Sequence, residues 1–209
     1  MSNHATVKTF QCSYRFSGNV YIISSDKGNV IVDLGYYDDE MEDYIRKIGG
    51  VDAVLLTHGH WDHTAGLDDF KKDFPNVPVY LAEKDHSCLK NSTLNGSIIN
   101  GFEVILNSKV ENTHEGDMKI GNYDVEVTYT PGHSVGSSMY YFKDEDLLFT
   151  GDTMLKNFVG PTDRPTGSSS DMKNTLVKFK SLGYDADTPT YPGHGESTTY
   201  GYLVNHYCK

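Results

Sequence analysis

The sequence predicts an α+β fold of four layers, in which two mixed sheets pack face to face and helices cover their outer faces. Strand-like segments followed by helix-like segments occur twice along the chain, once in each half. Each half can therefore form a sheet with one face against the other sheet and one face beneath helices. The length of 209 residues suits one domain with a sizeable core, so residues 1–209 are predicted to form a single domain.

In the first half, two apolar strands over residues 19–24 and 29–34 flank a turn that ends in Gly28, which can adopt positive φ. Residues 37–48 have apolar side chains at helical spacing, acids at the start and bases at the end, as a surface helix does. A short apolar run over residues 52–57 predicts a buried strand, and a helix over 65–74 follows.

The middle of the chain is expected to contain a strand at residues 79–81, a short helix over 83–90 and a loop over 91–100. This loop is rich in Asn, Ser and Gly, and we expect an ordinary surface connection rather than a lid over a substrate. The second half then predicts five further strands and one helix. The strands cover residues 118–120, 123–130, 138–142 and 147–150, the helix covers 171–182, and a last strand covers 188–191.

Composition limits the classes of function. The formal net charge of −11 argues against nucleic acid and anionic membranes as partners, and favours a small-molecule substrate. No apolar run approaches the length of a membrane span, and the N-terminus lacks a signal pattern, so a cytoplasmic protein is expected. Cys12, Cys88 and Cys208 are scattered and lack CxxC spacing, which predicts free thiols in a reducing compartment.

The stretch of greatest chemical interest is the loop after the predicted strand at 52–57. His58, His60, Asp62 and His63 lie within six residues there, and the helix-like text after them places the cluster on a strand-to-helix loop. At strand spacing, His58 and His60 point the same way. Imidazole suits zinc and iron, and a carboxylate adds a charged oxygen ligand, so this loop predicts a metal site.

Three later loops strengthen this prediction, because each places one His or Asp beside a glycine directly after an apolar strand. They contain His133 in TPGHS, Asp152 in TGDT and His194 in YPGHG. Each loop alone is weak evidence, but the four loops together supply seven side chains that can bind metal. The remaining histidines, His4, His86, His114 and His206, are expected to be surface or packing residues.

These motifs, in this order, resemble the metallo-β-lactamase superfamily, whose signature HxHxDH stands here as His58 to His63. The resemblance implies an αββα sandwich and, within the superfamily, is strongest to small glyoxalase II-like hydrolases. It also implies two metal positions: the first would be held by His58, His60 and His133, the second by Asp62, His63 and His194, and Asp152 would bridge them.

The resemblance implies two divalent ions, with zinc as the leading metal and iron or manganese as alternatives. A hydroxide shared by both ions would attack a carbonyl carbon, and Asp62 and Asp152 are the catalytic candidates. Thioesters of the hydroxyacylglutathione type are the leading substrates, because thiolate is a good leaving group. The alternatives are an iron-dependent sulfur (persulfide) dioxygenase, a lactonase or β-lactamase, a phosphodiesterase, and a metal-binding protein without catalysis.

Side chains near the four loops in sequence could contribute to substrate binding. The nearest cations are Lys143, Lys156 and Arg164, and each is expected to be a solvated surface charge. Four aromatic residues near the loops are expected to pack in the core rather than line a pocket: Tyr140, Tyr141, Phe158 and Tyr191.

Overall fold

Two six-stranded mixed sheets are found in the computed structural model, which describes residues 5–11 and 17–208. The first sheet consists, in spatial order, of β1 (Thr6–Phe10), β2 (Val20–Ser25), β3 (Gly28–Val32), β4 (Ala53–Leu55), β5 (Val79–Leu81) and β6 (Glu111–Asn112). Strands β1 to β3 pair antiparallel, and β3 to β6 pair parallel. The hairpin predicted around Gly28 is therefore confirmed.

The second sheet runs in the reverse spatial order, from β12 to β7. Its strands are β7 (Gly116–Ile120), β8 (Tyr123–Tyr129), β9 (Ser138–Phe142), β10 (Leu147–Gly151), β11 (Pro189–Pro192) and β12 (Thr198–Thr199). All neighbours pair antiparallel except β10 and β11, which are parallel. Both sheets are thus mixed, as the sequence predicts.

Helices α1 (Asp39–Lys47) and α3 (Leu67–Asp73) pack on the outer face of the first sheet, and α5 (Ser169–Ser181) and α6 (Tyr200–Tyr207) on that of the second. Two single-turn helices, α2 (Trp61–Thr64) and α4 (His86–Leu89), lie in the loops that follow β4 and β5. Helix α1 begins where the Asp38 side chain accepts a hydrogen bond from the Met41 backbone N–H at 3.0 Å, and its acidic first turn and basic last turn match the helix dipole. None of the helices in the described part of the chain is long and apolar enough to cross a membrane.

Three apolar clusters separate the four layers. On the outer face of the first sheet, Ile22 and Ile31 pack with Met41 of α1 and Phe70 of α3. Between the sheets, Ile23 and Val32 pack with residues of the second sheet, whose members include Val127, Tyr140, Phe142 and Phe149. On the outer face of the second sheet, residues of β9, β10, α5 and α6 pack together: Met139, Leu148, Phe179, Tyr200 and Leu203. Adjacent residues such as Ile22 and Ile23 enter different clusters because side chains alternate across a strand.

Several elements differ from the sequence prediction. Strands β6 and β12 are two residues long and give no periodic pattern, and helix α6 contains aromatic residues and a glycine that favour helix weakly. Helix α6 forms because the Thr199 side chain accepts a hydrogen bond from the Tyr202 N–H, and because Tyr200 and Leu203 are buried. Helix α2 also begins inside the predicted metal loop, so Asp62 and His63 lie on a helical turn.

The described cysteines are free thiols, as predicted. Cys88 and Cys208 are both buried, whereas Cys12 lies outside the described residues. Burial raises the pKa of the Cys88 thiol to about 12, so this side chain is a neutral packing residue at physiological pH.

The sheets are also joined by hydrogen bonds beside the loop that follows β4. The Tyr140 hydroxyl of β9 donates to the Leu56 carbonyl at 2.6 Å, and the Ser138 N–H donates to the Thr57 carbonyl at 2.8 Å. Tyr140 is fully buried. These bonds fix the start of the predicted metal loop relative to the second sheet.

We therefore expect Tyr140→Phe to lower the free energy of unfolding by about 1–3 kcal/mol, because the buried Leu56 carbonyl loses its donor. Urea denaturation of the metal-free protein measures this. Tyr37→Phe is the control, since its hydroxyl bonds to Asp73 at the surface, and a change within about 0.5 kcal/mol is expected there. Equal effects of the two substitutions would contradict the assignment.

Candidate metal centre

The seven side chains predicted as metal ligands converge at one end of the sandwich, just beyond four strands. His58, His60, Asp62 and His63 follow β4, whereas the other three residues come from the second sheet. His133 follows β8, Asp152 follows β10 and His194 follows β11. The sequence prediction that distant loops meet in one place is therefore correct.

His58, His60 and His133 form the first group. Their rings are buried, and one nitrogen of each lies within 4.8 Å of the others. His60 Nδ1 is 2.9 Å from His133 Nε2, and the His58 ring centroid is 4.8 Å and 4.9 Å from those of His60 and His133. Three imidazole nitrogens this close together are a donor set suited to a divalent ion.

Asp62, His63 and His194 form the second group. His194 Nε2 lies 3.2 Å from His63 Nε2 and 3.2 Å from Asp62 Oδ2. His63 Nε2 lies 3.8 Å from Asp62 Oδ2. This group adds a carboxylate oxygen to two imidazole nitrogens, and it can hold a second divalent ion.

Asp152 lies between the two groups. Its Oδ2 is 3.5 Å from His133 Nε2 in the first group and 3.5 Å from His194 Nε2 in the second. Its Oδ1 is 3.4 Å from His63 Nε2. A carboxylate that contacts both groups through one oxygen is placed where a bridging ligand would be.

Two buried atoms of this cluster have no hydrogen-bond partner among the described residues, namely His58 Nε2 and Asp152 Oδ1. Buried polar atoms are almost always satisfied, so orphaned ones need an explanation. Divalent ions bound by the two groups would satisfy both atoms, and the residues present therefore fit a dinuclear metal centre.

The pKa values distinguish the first group from the second. Burial, together with the imidazoles of His63 and His60, lowers the pKa of His58 well below its ordinary value. Burial and the neighbouring His133 lower the pKa of His60 to about 4. His58 and His60 are therefore neutral at physiological pH, and each keeps a lone pair for a metal ion.

In the second group, carboxylates reverse the effect of burial. Burial alone would lower the pKa of His63, but Asp152, Asp33 and Asp62 raise it to about 10. Burial is likewise outweighed at His194, where Asp152 and Asp62 raise the pKa. Burial opposes the charged form of Asp62, but His63 and His194 hold the pKa of its carboxyl below the ordinary range. Without metal, the second group therefore holds a proton on His63 at physiological pH.

Asp33 is a functional residue that the sequence analysis missed. It is buried at the end of β3 with φ of 59°, a left-handed conformation that aspartate tolerates better than most residues. Its carboxylate accepts hydrogen bonds from the Thr57 N–H at 2.7 Å, the Thr57 hydroxyl at 2.8 Å and His63 Nδ1 at 2.8 Å. The bond from Nδ1 directs His63 Nε2 into the cluster.

Asp85 is a second missed residue, and it connects the first two ligand loops. This fully buried carboxylate accepts hydrogen bonds from the Gly59 N–H at 2.8 Å, the Ser134 hydroxyl at 2.6 Å and the Gly136 N–H at 2.7 Å. Gly59 lies between His58 and His60, and Ser134 follows His133. A Cβ on Gly136 would lie 2.6 Å from Asp85 Cγ, so only glycine allows this approach.

His133 is oriented by a further contact. Its Nδ1 lies 2.7 Å from the Pro161 carbonyl, which can only accept, so this nitrogen carries the proton and Nε2 faces the other ligands. The remaining described histidines lie outside the cluster, as predicted. His86 contacts the Leu81 carbonyl and His206 the Tyr202 carbonyl, whereas His4 lies outside the described residues.

The cluster forms the floor of an open cavity of about 660 Å³, and its lining corrects two expectations. Phe158 is not a core residue, because it lines the cavity and is 53% exposed. The segment 91–100 is not an ordinary surface connection, because Asn95, Gly96, Ile99 and Asn100 also line the cavity. Tyr140 is buried in the core as expected. Tyr191 is half-buried against the apolar cluster between the sheets, and Tyr141 is half-buried against the cluster beneath α5 and α6.

The three cations near the site differ in their surroundings. Lys143 pairs with Asp117, and Lys156 pairs with Glu196, so both are surface charges as expected. Arg164 lines the cavity, and its guanidinium forms no salt bridge with the described residues. Arg164 is therefore a cation that lines the same cavity as the candidate metal ligands, and it can bind an anionic group.

We expect metal binding to the second group to release protons. His63 is protonated at pH 7 in the metal-free protein, whereas a metal-binding imidazole must be neutral. Affinity at this group should therefore tighten by up to about tenfold per pH unit for each proton released, as pH rises toward 10. Calorimetric zinc titrations in buffers of different ionisation enthalpy measure the release. No release at pH 7 would contradict the assignment.

We expect Asp85→Asn to weaken metal binding at the first group by about 10- to 100-fold, because the amide cannot accept all three hydrogen bonds. Asp68→Asn is the matched control. Asp68 accepts three kinds of hydrogen bond from Asn107 and Ser108, but it lies outside the cavity. Metal content after dialysis should fall only in the first variant, and a similar fall in both would show a general structural effect.

Comparison with known proteins gives the same assignment as the geometry. A model of the metallo-beta-lactamase superfamily matches residues 13–194. The probable metallo-hydrolase YqgX of Bacillus subtilis is 35% identical over 184 residues, which cover 86% of this chain and 86% of the relative.

Two solved structures are similar over nearly their whole length. The BLEG-1 B3 metallo-beta-lactamase has a TM-score of 0.87 at 30% identity, with 96% of this chain and 97% of that chain covered. TTHA1623 in a di-iron-bound form has a TM-score of 0.82 at 26% identity, with the same coverage. On these matches, the chain belongs to the metallo-β-lactamase superfamily of metallo-hydrolases.

Proposed function

We propose that the protein hydrolyses thioesters at a dinuclear metal centre, with thioesters of the hydroxyacylglutathione type as the leading substrates. One observation carries this proposal: two complete three-residue groups share Asp152 on the floor of an open cavity. His58, His60 and His133 would hold one ion, and Asp62, His63 and His194 the other. Zinc is the leading metal, and the di-iron form of TTHA1623 makes iron the first alternative.

The bound ions would supply a water molecule of lowered pKa and a positive charge for the developing oxyanion. The protein residues fix the geometry around them. Asp62 keeps its negative charge because its pKa is held low, so it suits orienting the attacking water better than storing a proton. Asp33 and Asp85 hold the ligand loops in place during the reaction.

The reaction adds one water across the carbon–sulfur bond. The water oxygen bonds to the acyl carbon, the carbon–sulfur bond breaks, and sulfur leaves with the bonding electrons as a thiolate. The proton lost from water passes to solvent, because a thiol with a pKa near 8.5 leaves without a general acid. A reaction that needs no general acid suits this cavity, because its described titratable lining residues are the candidate metal ligands and Arg164.

Arg164 supports a thiol half that carries negative charge. Arg164 lines the cavity, and its guanidinium has no carboxylate partner among the described side chains, although carboxylates are its preferred ligands. The acidic surface elsewhere, with a net charge of −11, supports a small-molecule substrate rather than nucleic acid.

A second candidate reaction is β-lactam hydrolysis, and the likeness to BLEG-1 at 30% identity favours it. The attack on a carbonyl carbon is the same, but the bond broken is carbon–nitrogen, and the amine needs a proton to leave. A sulfur dioxygenase would use one iron and leave one of the two complete groups without a role.

We expect a zinc-loaded preparation to hydrolyse thioesters faster than β-lactams, lactones or phosphodiesters, because only the thiolate leaves without a proton donor. Rates on one preparation, loaded in turn with zinc, iron and manganese, provide the measurement. Oxygen uptake with a persulfide in the single-iron form would favour the dioxygenase. Turnover of another substrate class without thioester hydrolysis would overturn the proposal.

We expect Asp152→Ala to lose metal and activity together, with kcat/KM lower by about a hundredfold or more, since even outer partners of ligands cost 10- to 100-fold. The carboxylate contacts both groups, so the metal content should fall below two ions per chain. Asp163→Ala is the control, because Asp163 is exposed and outside the cavity lining. Retention of both ions and full activity would show that Asp152 does not bridge.

A further inference from the structure

Two of the large apolar side chains that are exposed in the described part of the chain line the cavity. Among the described residues, Ile99 and Phe158 both line the cavity, with exposures of 60% and 53%. Ile98, Phe102 and Ile105 are exposed nearby in sequence but do not line the cavity. Clusters of exposed apolar side chains at a site usually mark a binding surface, because water solvates them poorly.

The segment that carries Ile99 is held firmly, and Asn95 is the residue that holds it. The buried Asn95 side chain donates to the carbonyls of Cys88 at 3.0 Å and Val104 at 2.8 Å, and it accepts from the Ser97 N–H at 3.0 Å. The backbone carbonyl of Asn95 accepts a hydrogen bond from the Trp61 N–H at 3.0 Å, and Trp61 lies between the candidate metal ligands His60 and Asp62 in sequence. The position of this segment relative to the metal centre is therefore fixed.

Ile99 lies on a single 3-10 turn, Ser97–Asn100, between two glycines in the left-handed conformation. Gly96 has φ of 78° and Gly101 has φ of 84°, which few other residues adopt. Beyond the turn, the Phe102 ring packs edge-on against Trp61, with centroids 4.8 Å apart. This geometry presents Ile99 to the cavity and leaves its side chain without a packing partner that would bury it.

Phe158 is presented by a second short turn, which follows Asp152. The Leu155 N–H donates to the Phe158 carbonyl at 3.0 Å, and Met154 pairs with Val159 as an isolated bridge. Leu155 is buried and also lines the cavity. Apolar lining thus comes from two independent segments, each tied to a ligand loop.

We infer that Ile99, Phe158 and Leu155 form an acyl-chain site, so that among thioesters the protein prefers acyl groups with a hydrocarbon chain of several carbons over short ones such as acetyl. The inference rests on the proposed thioester hydrolysis and narrows its substrate class. Arg164 is left to bind the anionic thiol half, since a cation and a hydrocarbon chain demand different surroundings.

The kinetic test uses acetyl, butanoyl and hexanoyl thioesters of one thiol, N-acetylcysteamine, with the zinc-loaded protein. Each methylene removed from water should raise kcat/KM about three- to fourfold, so burial of even two of the four methylenes that hexanoyl adds to acetyl should raise kcat/KM by about tenfold. Equal rates along the series would overturn the inference while leaving the thioester hydrolysis intact. A second series varies the thiol at fixed acyl group, and selectivity confined to that series would also overturn it.

Variants locate the site. Ile99→Thr and Phe158→Asn should each lower the hexanoyl-to-acetyl ratio by about threefold or more. Val177→Thr on α5 and Ile105→Thr in the Ile99 segment are matched controls, because both residues are exposed but do not line the cavity. An unchanged ratio in the first two variants, or an equal fall in the controls, would overturn the assignment. The assignment would also be overturned if Ile99→Thr or Phe158→Asn changed the oligomeric state and left the hexanoyl-to-acetyl ratio unchanged. That result would indicate that these side chains form an interface between copies of the chain.

A binding measurement separates this inference from catalysis. Trp61 is the single tryptophan of the chain and lines the cavity, so its fluorescence reports occupancy. Hexanoate should bind at least tenfold more tightly than acetate, and the difference should shrink in Ile99→Thr but not in Val177→Thr. Equal affinities, or no binding of hexanoate, would overturn the acyl-chain site. If no thioester is hydrolysed but hexanoate binds as expected, only the proposed reaction fails.

Discussion

The candidate site concentrates negative charge in a small buried volume, and the rest of the structure depends on how this charge is balanced. Asp33 and Asp152 are buried, and Asp62 is half-buried beside them. Buried carboxylates are costly unless a positive charge lies close by. In the metal-free chain, a proton on His63 provides part of that charge, because nearby carboxylates raise the pKa of its imidazole to about 10, and they raise the pKa of His194 as well. Metal ions would take the place of this proton.

This balance requires ligands that stay in position when the charge carrier changes, and the sandwich supplies them. Four strands from two sheets end at the same edge, and each delivers its ligand within a few residues of a hydrogen-bonded strand. The hydrogen bonds from Tyr140 and Ser138 fix one sheet against the other beside the site. Asp85 then joins the loop of His58 and His60 to the loop of His133.

Much of the fold and all seven candidate ligands could be predicted from the sequence, because both rest on local patterns. Apolar runs ending in a glycine and a His or Asp are visible in a few consecutive residues. Asp33 and Asp85 were missed because their roles depend on partners far along the chain: Asp33 binds residues 24 and 30 positions away, and Asp85 binds Gly59, 26 positions away. In sequence, a buried aspartate that accepts three hydrogen bonds looks like any surface aspartate.

The position of the segment 91–100 also could not be predicted from local sequence patterns. Its polar composition correctly predicts a loop, but composition does not reveal where a loop is placed. That placement follows from the Asn95 side chain, whose three hydrogen bonds replace the backbone bonds that a helix or strand would have made. Phe158 was assigned to the core because aromatic residues are usually buried, but a tight turn after Asp152 leaves it exposed.

The floor and the wall of the cavity meet different physical demands, although Trp61 connects them through its N–H and its ring. Metal ligands must hold their geometry closely, since imidazole and carboxylate donors bind an ion only at fixed distances and angles. An apolar wall must only exclude water, so its side chains can change in size and shape at little cost. Substitutions in the segments of Ile99 and Phe158 could therefore alter substrate range while the ligands remain unchanged. This separation explains how one fold can carry a β-lactamase such as BLEG-1 and, as we propose for this chain, a thioester hydrolase.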